Sequence, residues 1–140
     1  MKSKNLFLAL IVVQMLHSLE EYVFQLFETF PPARFVSGLV SADLSYGFAV
    51  INVVVVVLGI ACYWWPVRHG WASATPIAWI WIVVELVNGF VHPTWSVIQQ
   101  SYTPGLVTSL LFLPLVVLLA SRLRTERTAA AQRLLQSRES

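Results

Sequence analysis

The stretch Asn5-Leu6-Phe7-Leu8-Ala9-Leu10-Ile11-Val12-Val13-Gln14-Met15-Leu16-His17-Ser18-Leu19-Glu20-Glu21 places an imidazole and two carboxylates inside an otherwise apolar run. A bilayer core of about 30 Å is crossed by about 20 helical residues, and the run from Leu6 onward is long enough. Ionisable side chains within such a segment cost roughly 2.5–3.5 kcal/mol each on insertion scales, so three together require partners, protons or a metal. At about 100° per residue, His17 and Glu21 lie about 40° apart and Glu20 about 60° to the other side, so a helix points all three into one sector. A compact set of acids and a base predicts a functional site. The plainer alternative is a solvated crevice or a segment outside the membrane.

Composition makes lipid the solvent of the core. Of 140 residues, 57% are hydrophobic and 11% charged, with mean hydropathy +0.70; a soluble domain carries about 25% charged residues. Cys62 has no cysteine partner for an intrachain disulfide and lies in an apolar run, which makes it a packing residue. Lys2 and Lys4 before an apolar run can open a signal peptide. His17, Glu20 and Glu21 occupy the place of its small-residue cleavage site, so the segment reads as a retained helix.

The chain is predicted to be all-α, a four-helix transmembrane bundle. The first span covers about 5–28 and stops at Phe30-Pro31-Pro32, since proline cannot continue the backbone ladder; residues 31–43 are predicted as a loop. The second span, about 44–65, starts at Asp43 or Ser45. Its valine run at 53–57 would suggest a strand in water, but a lone strand in lipid leaves its backbone unsatisfied. Trp64-Trp65-Pro66 closes it as an interfacial anchor and a breaker. A third span, about 76–92, begins at Pro76 and ends before Pro93. The fourth, about 105–119, follows Pro104-Gly105 and contains Pro114, which should kink it. Residues 1–120 form the membrane domain and 121–140 a basic tail that is helical at least in part.

Lys2, Lys4, Arg68, Arg122, Arg124, Arg127, Arg133 and Arg138 fall on one side of such a four-span chain, and Arg34 on the other. That asymmetry puts both termini in the cytoplasm of a multi-pass cell-membrane protein and the loops 31–43 and 93–104 outside. It also accounts for the tail arginines without a nucleic-acid partner.

Three motifs stand at membrane segments: His17-x-x-Glu20-Glu21, Glu85-x-x-Asn88-x-x-x-His92 and Tyr102-x-Pro104-Gly105. Together, in this order, they resemble the HXXEE-domain family of small bacterial membrane proteins over most of the chain. What the resemblance implies is modest, because that family is functionally uncharacterised and its motif is a hint of enzymatic activity.

The first and third helices run the same way. At 1.5 Å per residue, His17 to Glu21 lie about 18–24 Å above the cytoplasmic end and Glu85 to His92 about 14–24 Å, so the two sets share a depth. Glu85, Asn88 and His92 share a face at i, i+3, i+7. Asn52, Thr108 and Ser109 fall near the same level, whereas the cytoplasmic half is almost wholly apolar. This predicts a polar cup in the outer half of the bundle over an apolar plug, and disfavours a pore. Tyr102 either offers a phenol at its rim or serves only as an interfacial aromatic before a fixed turn. His69, in the turn after Arg68, is read as solvent-facing.

Helix bundles build metal sites from facing Glu and His. The donors suit iron, zinc or manganese, with His17, Glu21, Glu85 and His92 as first ligands and Glu20 and Asn88 next. The reading preferred is a metal-dependent membrane enzyme acting on a lipophilic small molecule, with lipid as its other partner, because two histidines join the acids at one depth. A metal-free isomerase, cyclase or hydrolase using paired carboxyls is the nearest alternative. A proton or cation carrier wants a second polar pathway, and a structural subunit would use the cluster as helix-helix glue. The topology carries a direct test. A reporter fused after Ser140 should behave as cytoplasmic and one inserted near Arg34 as exterior; an exterior C-terminal reporter refutes the orientation and the shared depth with it.

Overall fold

A computed structural model describes the backbone of residues 2–139, all-helical among those residues, with four helices long and apolar enough to cross a membrane. Met1 and Ser140, the outer limits of the two expected segments, lie outside the described residues, as do the side chains of Arg138 and Glu139.

The first helix, α1, spans Ser3–Val23 and buries Leu6, Phe7, Leu10, Ile11, Gln14, His17, Ser18 and Glu21. Those intervals of three and four residues make one inward stripe, apolar for its first half and polar for its second. The helix stops short of the expected residue 28. Gln25 takes a left-handed conformation (φ 58°), and a single turn, α2 (Leu26–Thr29), leaves in a new direction. The turn buries Leu26 and Phe27 against Phe48 in a small second core.

Residues 31–43 are mostly not the loop expected from the prolines. Pro31 and Pro32 occupy the first turn of α3 (Pro31–Val40), where a missing N–H and a fixed φ do no harm, so the residues that stop one helix start the next. The inner face of α3 buries Ser37, while Phe35 and Leu39 are exposed. Asp43 then caps α4 (Leu44–Cys62), its carboxylate accepting the N–H groups of Ser45 (3.0 Å) and Tyr46 (3.2 Å). The Ser45 hydroxyl and these backbone donors hold the Asp43 carboxyl below its ordinary range. The valine run is helical. A π turn over Tyr63–Val67 absorbs Pro66 at the end of α4.

The fifth helix, α5 (Ala74–Gln99), runs through Pro93 instead of ending at His92. In lipid a break there would strand backbone groups, whereas a proline inside a helix removes one bond that neighbouring helices and side chains can compensate. It ends at Gln100, left-handed at φ 50°. The last helix, α6 (Leu106–Glu139), continues past Pro114 and through the basic segment without a break.

The main core joins Leu6, Phe7, Leu10 and Ile11 of α1 to Ala78, Trp81 and Ile82 of α5 and Phe112, Val116 and Leu119 of α6. Phe7 meets Trp81 edge to face, with centroids 6.4 Å apart. The polar half of the α1 stripe therefore lies between two apolar clusters. The joint between α3 and α4 is close: a Cβ on Gly47 would stand 2.3 Å from the Ser37 carbonyl oxygen, whereas one on Gly38 would meet nothing nearer than 3.7 Å. Gly47→Ala should therefore lower stability by about 1–3 kcal/mol, read as a reduced Tm in detergent, with Gly38→Ala near wild type. Equal Tm values for the two would contradict this packing.

Candidate metal centre

His17 and Glu21 are one helical turn apart on α1, and His92 reaches them from α5. His17 Nε2 is 3.3 Å and His92 Nε2 3.1 Å from the same oxygen, Glu21 Oε1. One ligand atom from each residue fits within 4.8 Å of the others, and all three residues are buried. The two imidazoles meet edge to face at 4.6 Å. Phe112 closes the other side of His17 at 5.1 Å.

The outer nitrogens of both rings are already committed. His92 Nδ1 lies 2.8 Å from the Pro104 carbonyl oxygen, which can only accept, so Nδ1 carries a proton. His17 Nδ1 lies 2.8 Å from Thr108 Oγ1, whose own proton is given to Glu20 Oε2. Here too Nδ1 donates. These assignments follow from the partners' chemistry and leave both Nε2 atoms facing Glu21. His17 Nε2 is buried without a hydrogen-bond partner among the described residues. Neutral imidazoles would set three lone-pair donors against one another with nothing positive between them; a divalent ion or ring protons would relieve that.

Glu20 does not share their sector. Its carboxylate turns to the start of α6, where it accepts the backbone N–H groups of Val107 (3.1 Å) and Thr108 (2.9 Å), the Thr108 hydroxyl and the Tyr102 phenol (2.7 Å). Adjacent glutamates, about 100° apart on a helix, thus have separate partners. Glu21 faces the histidines, and Glu20 caps another helix across the bundle.

Glu85 also stands outside the trio. Fully buried, it receives Asn88 Nδ2 at 3.1 Å. The Gln14 amide satisfies both its neighbours when its nitrogen lies 2.9 Å from each Glu85 oxygen and its oxygen accepts from Ser18 Oγ at 3.0 Å. Glu85 lies two turns before His92, about 10 Å along the axis of α5, and its carboxylate is held by these two amides. Of the four expected ligands, His17, Glu21 and His92 bring their ligand atoms within reach of one ion, while the hydrogen bonds of Glu85 go to Asn88 and Gln14. Asn88 is half-buried and orients Glu85; His69 is exposed, with Nδ1 2.8 Å from the Trp65 carbonyl oxygen.

The Tyr102-x-Pro104-Gly105 segment closes the site residue by residue. Tyr102 binds Glu20. Thr103 is buried against Ser96, whose Oγ accepts the Thr103 N–H at 3.2 Å. Pro104 supplies the acceptor for His92. Gly105, at φ +87°, lies so close to the rings that a Cβ would stand 2.6 Å from His92 Cε1 and 2.8 Å from His17 Cε1. Partial burial and the bond to Glu20 push the Tyr102 phenol well above its ordinary range, so it stays a proton donor. Sequence reading did not assign these roles to Gln14, Thr108, Pro104 and Gly105. Gln14, one turn from His17 in an apolar run, was the visible signal.

The two glutamates should separate on stability. Glu20→Ala strips two backbone donors of α6 of their acceptor and should cost about 2 kcal/mol or more, read as a lower Tm in chelator. Glu21→Ala should cost less under the same conditions; the reverse order would contradict the division of roles.

A search of curated proteins and a search of solved structures each returned no match. A family described as "Protein of unknown function with HXXEE motif" matches residues 8–119, which include His17, Glu20, Glu21 and His92. The chain belongs to the HXXEE family.

Proposed function

We propose that this protein is an integral membrane enzyme that acts on a lipophilic small molecule at a metal centre held by His17, Glu21 and His92. One observation carries the reading: two Nε2 atoms, each turned inward by an acceptor on its Nδ1, converge on one carboxylate oxygen. Ligating histidines ordinarily donate their other ring N–H to an acceptor of this kind. Two histidines and a carboxylate suit zinc, iron or manganese, and three protein ligands leave positions free for substrate or water, as catalytic sites require. A bound divalent ion would supply Lewis-acid chemistry to an oxygen of the substrate. The chain's own part is to hold both imidazoles in one tautomer through Thr108 and Pro104, and to exclude water with Phe112.

Helix α1 orders the apolar core first and the polar layer second, which supports a site in the outer half above an apolar plug. The bundle end where α4 gives way to α5 carries guanidinium groups over indoles, Arg68 on Trp64 at 4.6 Å and Arg124 on Trp79 at 5.7 Å. Such pairs suit a cytoplasmic interface of the cell membrane, with both termini on that side.

The same convergence also favours a metal-free reading, in which His17 and His92 are imidazolium ions paired with Glu21 and pass protons to a substrate. Metal analysis separates the two. Protein purified without chelator should carry close to one zinc, iron or manganese per chain. His17→Ala or His92→Ala should lose it, His69→Ala should keep it, and affinity should rise with pH because protons compete for the ligands. A wild-type preparation that neither holds nor takes up any of these ions contradicts the metal centre and leaves the acid/base reading.

A further inference from the structure

Glu85 is fully buried and has no part in the chemistry proposed above. Among the described residues no lysine, arginine or histidine pairs with it; the ion pairs of the buried region, from His17 and His92, both go to Glu21. The inward face of α1 meets it with Gln14, and the titratable groups on that face are His17 and Glu21. The apolar segment of α6 contains no acid or base, and α4 has only Tyr46 and Cys62, toward its two ends. We propose that Glu85, Gln14 and Ser18 form a proton-binding site, in which the Glu85 carboxyl is held as the neutral acid and donates to the Gln14 side-chain oxygen.

Two complete hydrogen-bond networks fit the same atom positions. Gln14 places one end of its amide 2.9 Å from both Glu85 oxygens and the other 3.0 Å from Ser18 Oγ. With the amide nitrogen toward Glu85, the acid is a carboxylate and the Ser18 hydroxyl donates to the Gln14 oxygen. With the amide oxygen toward Glu85, that oxygen accepts a carboxyl proton and the Gln14 nitrogen donates to Ser18 Oγ. Asn88 Nδ2 donates to Glu85 Oε2 at 3.1 Å in both, so the proton sits on Oε1. Only the second network carries no net charge. A carboxylate here would rest on neutral amide donors alone, in a bundle interior that already holds the carboxylate of Glu21. An unpaired charge away from water is costly, and an acid so placed is relieved of it by keeping its proton. The two networks differ by one proton and a half-turn of one amide, so loss of the proton reverses the direction of every bond from Glu85 to Ser18. The site stands whether or not a metal binds His17, Glu21 and His92.

The test is infrared spectroscopy of the full chain in nanodiscs at neutral pH with chelator, reading the carbonyl stretch of protonated carboxyl groups, which lies apart from the carboxylate bands. Wild type should show such a band. Glu85→Gln should lose it, and Glu21→Gln should keep it. Gln14→Leu should keep it at higher frequency, because the acid has lost its acceptor; this variant decides the matter if Glu85→Gln fails to fold. Absence of the band from wild type, or its survival in Glu85→Gln, overturns the proposal. So does an unshifted band in Gln14→Leu, or one that appears only in that variant and shows the amide to be holding a carboxylate. Loss in Glu21→Gln instead assigns the proton to Glu21 and overturns it too. Metal uptake by a wild type without the band refutes this inference alone, and the band without metal uptake refutes only the metal centre.

Discussion

A carboxylate oxygen facing two imidazole nitrogens in a dry bundle is the constraint from which the rest of this structure follows. Hydrocarbon supplies no water to pair with stray polar atoms, so each buried donor and acceptor must find its partner within the protein. The outer ring nitrogens find theirs in Pro104 and Thr108, the second carboxylate layer in Gln14 and Asn88. The inner ring nitrogens and Glu21 have only one another. At this meeting point of α1 and α5 the proposed metal, or protons on the rings, would balance the carboxylate.

The paired glutamates show how a short motif can do two jobs. Glu21 faces the Nε2 atoms of His17 and His92. Glu20, one residue earlier, ties α1 to the N-terminus of α6, which carries Thr108, the residue that orients His17. The histidine is thus connected to both acids, through space to one and through Thr108 to the other. The segment from Tyr102 to Gly105 completes the loop. It brings the Pro104 carbonyl to His92 and presents a glycine where any side chain would strike both rings. These contacts explain why the histidine and two acids of α1 and a proline-glycine turn far along the chain form one assembly.

Much of the helical frame was legible in the amino-acid pattern, because in lipid the requirement for satisfied backbone overrides β propensity, as in the valine run of α4. That His17, Glu21 and His92 meet at one level was also legible, since helical rise is fixed. What the pattern hid depended on tertiary partners. Pro93 reads as a stop by local rules, yet α5 passes it. Pro31 and Pro32 read as a loop, yet they begin a helix whose inner face packs on Gly47. Periodicity put Glu20 with Glu21 and Glu85 with His92 but did not name their partners, which are the backbone donors of α6 for Glu20 and two amides for Glu85. No spacing rule contains those competitors.

The central claim is that the two Nε2 atoms are ligand atoms and the two Nδ1 atoms carry the protons. Nitrogen-15 NMR of histidine-labelled protein loaded with zinc reads both directly, with His69→Ala used to assign the remaining signals. The account predicts that His17 and His92 each show one protonated nitrogen, Nδ1, and one unprotonated, zinc-shifted nitrogen, Nε2. Rings protonated on both nitrogens, and unchanged by zinc, would contradict it.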